Sequence, residues 1–267
     1  MHRLIAFVTV AGLSVGLTSA VFAADLPRPG PAPVYTKAPS AVPFSWSGFY
    51  VGADVGGAWS RQSVTAAARP TIPGFFIDQA DAAGELSGSS VIGGFYAGYN
   101  WAVQSGWVLG VEGDFNWTHL NDTATAENLT AAGVPVGSGG FTWSRDLKWL
   151  ASARGRVGYA VAPTALAYVT GGAAWGGTDY RATDAFFGGC SNCIVASPFS
   201  ATRTGYAVGG GLEWAWDRNW VLRGEYLYYR LQGETTNAAP NVTSVNFNWG
   251  DLSVHTARVG LAYKFGP

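Results

Sequence analysis

Trp107-Val-Leu-Gly-Val-Glu-Gly-Asp-Phe-Asn-Trp117 is the stretch on which the fold turns. Alternate residues of a β-strand point to opposite faces. Trp107, Leu109, Val111, Phe115 and Trp117 therefore share one face, and Val108, Gly110, Glu112, Asp114 and Asn116 share the other. The greasy face carries a tryptophan at each limit; the second face is charged and glycine-rich. Helical readings fail nearby. Leu86–Val111 and Val157–Thr178 hold no charged residue and are long enough to span a bilayer as helices. Yet the first holds Gly88, Gly93, Gly94, Gly98, Gly106 and Gly110, and the second holds Pro163 and five glycines. Each glycine costs a helix interior about 1 kcal/mol and a proline about 3 kcal/mol.

The same sorting recurs on both sides of this stretch. Strands are predicted at about 47–60, 89–101, 106–119, 146–161, 164–177, 203–217, 219–232 and 250–265. In the first, Phe49, Val51, Ala53, Val55 and Trp59 oppose Tyr50, Gly52, Asp54 and Gly56. In the fourth, Trp149, Ala151, Ala153, Val157 and Tyr159 oppose Lys148, Ser152, Arg154, Arg156 and Gly158. The sixth sets Tyr206, Val208, Leu212 and Trp214 against Gly209, Gly211 and Glu213. The seventh sets Trp220, Leu222, Tyr226 and Tyr228 against Arg223 and Glu225. The eighth sets Val259, Leu261, Tyr263 and Phe265 against Thr256, Arg258, Gly260 and Lys264. Connections alternate in length: 102–105, 162–163 and the vicinity of 218 are short, whereas 61–88, 120–145, 178–202 and 233–249 are long. Short turns at one end and long loops at the other are the pattern of an up-and-down membrane barrel. The expected fold is an all-β, eight-stranded antiparallel transmembrane β-barrel.

A soluble barrel also alternates, with its apolar face inside. Three features argue for the opposite arrangement here. The charged face is also the glycine-rich one, as a narrow eight-stranded interior requires. The apolar face carries its large aromatics near the strand ends, as two interfacial girdles would. Only 12% of residues are charged, so a soluble barrel would expose large apolar patches. The lumen is then expected to hold Asp54, Glu112, Asp114, Glu213 and Glu225 against Lys148, Arg154, Arg156, Arg223, Arg258 and Lys264. Buried charges are tolerable only when paired, which predicts a salt-bridged plug. A three-residue turn near Arg218 would set Glu213 opposite Arg223. A narrow, low-conductance porin is the alternative.

The ends of the chain have different textures. Residues 1–23, with Arg3, an apolar run from Leu4 to Leu17 and Val21-Phe22-Ala23 before Ala24, read as a secretory signal cleaved near Ala23/Ala24. Residues 24–45 carry Pro27, Pro29, Pro31, Pro33, Pro39 and Pro43, a spacing that favours an extended tether. The barrel is assigned to 46–267. Cys190 and Cys193 are expected to close a short loop disulfide in an oxidising compartment. No metal site or cofactor is expected, because only His119 and His255 remain as further ligands in the mature chain. A net charge of −1 without any basic run excludes nucleic acid as a partner.

Arg258-Val-Gly260-Leu-Ala-Tyr263-Lys-Phe265 resembles the signal read by the outer-membrane barrel assembly machinery, although Gly266 and Pro267 follow the phenylalanine. Trp46, Gly48, Phe49, Tyr50, Val51 and Gly52 resemble the opening strand of small outer-membrane surface-antigen barrels, the porin-family or OmpA-like group. That resemblance implies a Gram-negative outer-membrane location, outer-membrane lipid and the assembly machinery as partners, and a structural or surface-exposed role. Some such relatives are associated with haem binding or immune recognition, and no binding residue is carried over to this sequence.

A lipid-modifying enzyme is the remaining alternative. Ser253 and His255 share a face at the outer end of the eighth strand, with Asp251 on the same parity. A hydrolase also needs a carboxylate that orients the imidazole and donors for an oxyanion. Asp251 sits at a loop edge, and no enzyme is expected.

Overall fold

The computed structural model describes residues 44–70, 80–129, 135–186, 194–238 and 243–266. The expected signal segment, most of the tether and the Cys190–Cys193 pair lie outside the described residues. Among the described residues ten strands appear: β1 (Gly48–Pro70), β2 (Ala80–Ala102), β3 (Trp107–Leu129), β4 (Pro135–Ala162), β5 (Ala165–Phe186), β6 (Ile194–Ala215), β7 (Trp220–Leu231), β8 (Glu234–Ala238), β9 (Thr243–Trp249) and β10 (Leu252–Lys264). β1 to β7 pair in sequence, β7 pairs with β10, and β10 closes on β1 with Tyr50 opposite Lys264. Eight strands thus form a closed antiparallel ring without an edge. β8 and β9 form a hairpin on top of it, and β9 continues the β1 ladder from Val64 to Pro70.

The short connections fall where expected. Gln104–Gly106 forms a 3-10 turn with Ser105 at φ 70, Pro163 and Thr164 link β4 to β5, and residues 216–219 link β6 to β7. In that last turn Asp217 Oδ1 accepts the backbone N–H groups of Asn219 (2.7 Å) and Trp220 (2.9 Å). The resulting register sets Glu213 opposite Arg223.

The expected long loops are shorter than the sequence suggested, because most of each is strand. β1 runs to Pro70 and β3 to Leu129, and β4 begins at Pro135. The physical reason is a reversal of the two faces. Between the girdles, Val51, Val55, Phe95, Leu109, Val111, Val169 and Leu212 are exposed on the outside of the ring, where only acyl chains can meet them. Beyond the upper girdle, Phe141, Trp143, Tyr180, Phe247 and Trp249 are buried inside, while Asn121, Thr123, Arg181, Asn246 and Asn248 face outward and are exposed. A barrel wall standing in water must be polar outside. The expectation of a greasy outer face therefore hid these extensions.

The aromatic girdles are contacts as well as positions. At the short-turn end Trp107 meets Tyr159 at 5.3 Å, Trp220 meets Tyr263 at 5.3 Å and Phe49 meets Phe265 at 5.7 Å between ring centroids. At the other limit Phe115 stacks on Trp149 at 5.5 Å and meets Trp117 edge-on at 4.9 Å. Glycine serves the interior by close approach. A Cβ on inward Gly172 would overlap the Ala153 carbonyl, whereas one on outward Gly155 would meet nothing within 4 Å.

One inward assignment is corrected. Lys148 sits outside the barrel, with its side chain 49% exposed beside Asp179. The β4–β5 register slips between Leu147 and Trp149, leaving Lys148 as the extra residue of a bulge. Odd residues Phe141, Trp143, Arg145 and Leu147 point inward before it, and even residues Leu150, Ser152, Arg154 and Arg156 point inward after it. Unbroken alternation was assumed, and one inserted residue inverts it.

Candidate functional site

The lumen is filled in layers. Nearest the short turns, Trp46, Tyr50, Tyr96, Val108, Leu166, Val221 and Ala262 form an apolar cluster. Lys264 points inward beside it, 4% exposed, with its ammonium 5.6 Å from the Phe44 ring centroid.

Above lies the charge network. Inward positions of β1, β3, β4, β6, β7 and β10 bring five carboxylates and four guanidiniums together: Asp54, Glu112, Asp114, Glu213 and Glu225 with Arg154, Arg156, Arg223 and Arg258. Arg154 reaches Glu112 at 2.7 Å, Asp114 at 3.1 Å and Glu225 at 3.1 Å, with none of its side chain exposed. Arg156 meets Glu213 at 2.8 Å and Glu112 at 3.4 Å. Arg223 binds both oxygens of Glu112 and reaches Glu213 at 3.2 Å. Arg258 binds Glu225 at 2.6 Å, Asp54 at 3.3 Å and Asp114 at 3.5 Å. Tyrosines complete the set. Tyr50 donates to Glu112 at 2.7 Å and accepts from Arg156 at 2.9 Å, and Tyr168 donates to Glu225 at 2.9 Å. Arg156 lies 3.9 Å from the Tyr168 ring centroid, and Arg223 lies 3.9 Å from that of Tyr96, so the flat guanidiniums are also stacked.

A belt of apolar side chains closes the lumen above the network. Ala58, Ile92, Leu120, Leu147, Leu150, Leu227, Tyr229, Leu231, Leu252 and Val254 belong to one buried cluster. A second polar layer follows, which the sequence reading missed. Arg145 binds Asp122 and Ser60, and reaches Gln62 at 3.3 Å. Arg203 lies near, 3% exposed. Asp122 and Arg203 continue the inward parities of Glu112 and Glu213, and extending those parities past 119 and below 205 would have found them. The aromatic cluster of Phe141, Trp143, Tyr180, Phe247 and Trp249 covers this layer.

Other expected residues are placed as follows. Arg258 belongs to the charge network, and Gly260 faces Tyr96, whose hydroxyl a Cβ would approach to 3.0 Å. Tyr263 and Phe265 join the lower girdle, and the Phe265 N–H donates to the Phe49 carbonyl at 2.8 Å across the closing seam. Ser253 and His255 are each held by a different tyrosine: Tyr228 Oη lies 3.2 Å from Ser253 Oγ, and Tyr226 Oη lies 2.6 Å from His255 Nδ1. Asp251 accepts from Arg230 at 3.0 Å and from the Gly233 N–H at 2.8 Å, so it does not orient the imidazole. Among the described residues no group of three or more His, Cys, Asp or Glu side chains is placed to hold a metal ion.

Comparison with known proteins places this geometry. Residues 36–265 match the family model described as outer membrane protein beta-barrel domain. A 31 kDa outer-membrane immunogenic protein of Brucella melitensis is 30% identical over 265 residues, covering 97% of this chain and 99% of that protein. A 22 kDa outer membrane protein of Rhizobium leguminosarum bv. viciae is 31% identical over 173 residues, 65% of each chain. Among solved structures, the Ail attachment invasion locus protein of Yersinia pestis aligns with a TM-score of 0.34 at 17% identity, covering 79% of this chain and 99% of that one. OprG of Pseudomonas aeruginosa aligns with a TM-score of 0.43 at 11% identity, covering 85% of this chain and all of that one (100%).

Proposed function

The chain belongs to the outer membrane protein beta-barrel domain family, and from that premise we propose that it is a closed, non-conducting and non-catalytic member. It is an outer-membrane β-barrel with a structural and surface-exposed role. The observation that carries the closed reading is the filled lumen: a paired charge layer lies between apolar clusters above and below it. An ion crossing this path would have to break several charge-assisted hydrogen bonds and then enter an apolar belt, and both steps are strongly unfavourable. The dispersed hydrogen bonds of Ser253, His255 and Asp251 support the non-catalytic reading.

The strand extensions beyond the upper girdle raise a polar-walled turret above the bilayer, and this is the part that meets the surroundings. The Brucella relative is named for immunogenicity, which supports surface presentation here. Outer-membrane lipid against the exposed apolar side chains between the girdles, and the barrel assembly machinery at Arg258, Gly260, Tyr263 and Phe265, are the partners that fit these surfaces. Cleavage near Ala23/Ala24 would deliver the chain to that machinery.

Planar-bilayer recording with the refolded mature chain tests closure. No stepwise conductance above the lipid background is expected. Reproducible ohmic steps would establish the narrow-porin alternative instead.

A further inference from the structure

The turret has one wall that is not laced. β6 and β7 pair from Ala215–Val221 up to Gly205–Leu231. The last backbone bond between them runs from the Gln232 N–H to the Thr204 carbonyl at 2.9 Å. Above it the upper half of β6 pairs with β5 alone, and β8 pairs with β9 alone, among the described residues. Two strand edges therefore face one another without a ladder. Since the Thr204 backbone points at the seam, alternation turns that of Pro198 the same way, and proline has no N–H to offer an edge.

Arg203 stands at the base of this seam. Its Nη1 donates to the Gln232 carbonyl at 2.8 Å, and its guanidinium lies 4.5 Å from the Tyr180 ring centroid. Nε and Nη2 are buried and have no hydrogen-bond partner among the described residues. Among the described residues the carboxylates of the region are bonded elsewhere: Asp122 to Arg145, and Asp251, which also feels the Arg203 charge, to Arg230 and the Gly233 N–H. Among the described residues Arg145 and Arg203 thus share a layer with one buried carboxylate, Asp122. An arginine stays charged at any relevant pH, and a buried guanidinium whose donors are unfilled and whose nearby Asp251 is shared with Arg230 is unfavourable. A water molecule could fill the hydrogen bonds but would leave the charge. Nε and Nη2 form the side-on fork of the guanidinium, whose spacing matches two oxygens of one carboxylate or phosphate. Phe199, half-buried on β6, stacks on Tyr180 at 5.0 Å and meets Trp249 at 5.9 Å, so the ring that Arg203 lies against belongs to an aromatic cluster.

We propose that Arg203 is the anchor of an oxyanion-binding site in the turret, reached through the seam between β6 and β8. The ligand is a carboxylate or phosphate, with any attached apolar tail lying against Phe199 and Trp249. This site is separate from the charge network and does not depend on whether the lumen conducts.

Isothermal titration of the refolded mature chain in a maltoside detergent tests it, with inorganic phosphate, hexyl phosphate and hexanoate as probes and hexylammonium as the cationic control. Saturable heat with an anion and none with hexylammonium is expected. R203Q should weaken anion binding by at least about tenfold, and R203K, which keeps the charge but loses the fork, should also weaken it. R61Q, at an exposed arginine on the outer face, should bind as the parent does. Folding of each variant is checked by heat-modifiable mobility on gels, and R203K serves if R203Q does not fold. Tighter binding of the hexyl anions than of phosphate identifies an amphiphile site; equal binding identifies a free-anion site. The proposal is overturned if no anion gives saturable heat up to ~10 mM, or if both Arg203 variants bind like the parent.

Discussion

Arg154 shows what a single residue does in the lumen. Its guanidinium touches Glu112, Asp114 and Glu225, contributed by β3 and β7, and no part of its side chain is exposed. Removing one partner from a buried ionic set leaves charges that water cannot reach, a loss of about 3–5 kcal/mol. R154Q should therefore lower the unfolding free energy by that amount in urea titrations in lipid vesicles. An exposed pair behaves otherwise. Lys148 and Asp179 are both partly solvated, and K148Q should change stability by less than about 1 kcal/mol. A loss of similar size in both variants would contradict the paired-plug account.

At the scale of the element, β4 holds the decisive feature. Its bulge at Lys148 lets one strand serve two solvents, with Arg145 and Leu147 inward before it and Arg154 and Arg156 inward after it. Deleting Lys148 would make the alternation continuous and turn either Trp143 and Arg145 or Arg154 and Arg156 to the wrong side. The deletion variant is expected to lose heat-modifiable mobility in gels after refolding, whereas K148A keeps it. Assembly of the deletion variant with parental mobility would show that the bulge is dispensable. β7 and β10 change direction by another device, interrupting at 232–233 and 250–251 so that the β8–β9 hairpin can continue the wall.

For the whole molecule, the surface carboxylates outside the bilayer set the response to acid. The N–H groups of Asn219 and Trp220 hold Asp217 below the ordinary carboxylate range. Hydrogen bonds from Lys148 and Ser200 do the same for Asp179, and the Gly233 N–H followed by Arg230 does so for Asp251. A carboxylate whose folded pKa lies below its unfolded value contributes stability above the unfolded value, and that contribution is lost as pH falls through the folded one. The melting temperature in detergent should accordingly be flat from pH 7 to about 5 and fall below about pH 4. The double variant D217N/D251N should show a shallower fall. An unchanged slope would assign acid sensitivity to other groups.

The sequence by itself determined the strand alternation, the closed eight-membered ring and which residues between the girdles face lipid. Those readings need only local periodicity and the rule that apolar side chains avoid water. Glu112, Arg154 and Arg223 were legible as inward for the same reason, and so was the pairing of Glu213 with Arg223, because turn length fixes register. Only the tertiary structure decided where that rule changes sense. Above the upper girdle the solvent outside the wall is water, so Trp143 and Trp249 turn inward, and segments rich in polar residues proved to be strands. Lys148 fell on the unexpected side because a bulge depends on pairing with two neighbouring strands, which no single-strand pattern reveals. Arg203 lay unnoticed for a related reason: that its Nε and Nη2 find no hydrogen-bond partner among the described residues depends on the strands around it and not on the pattern of its own.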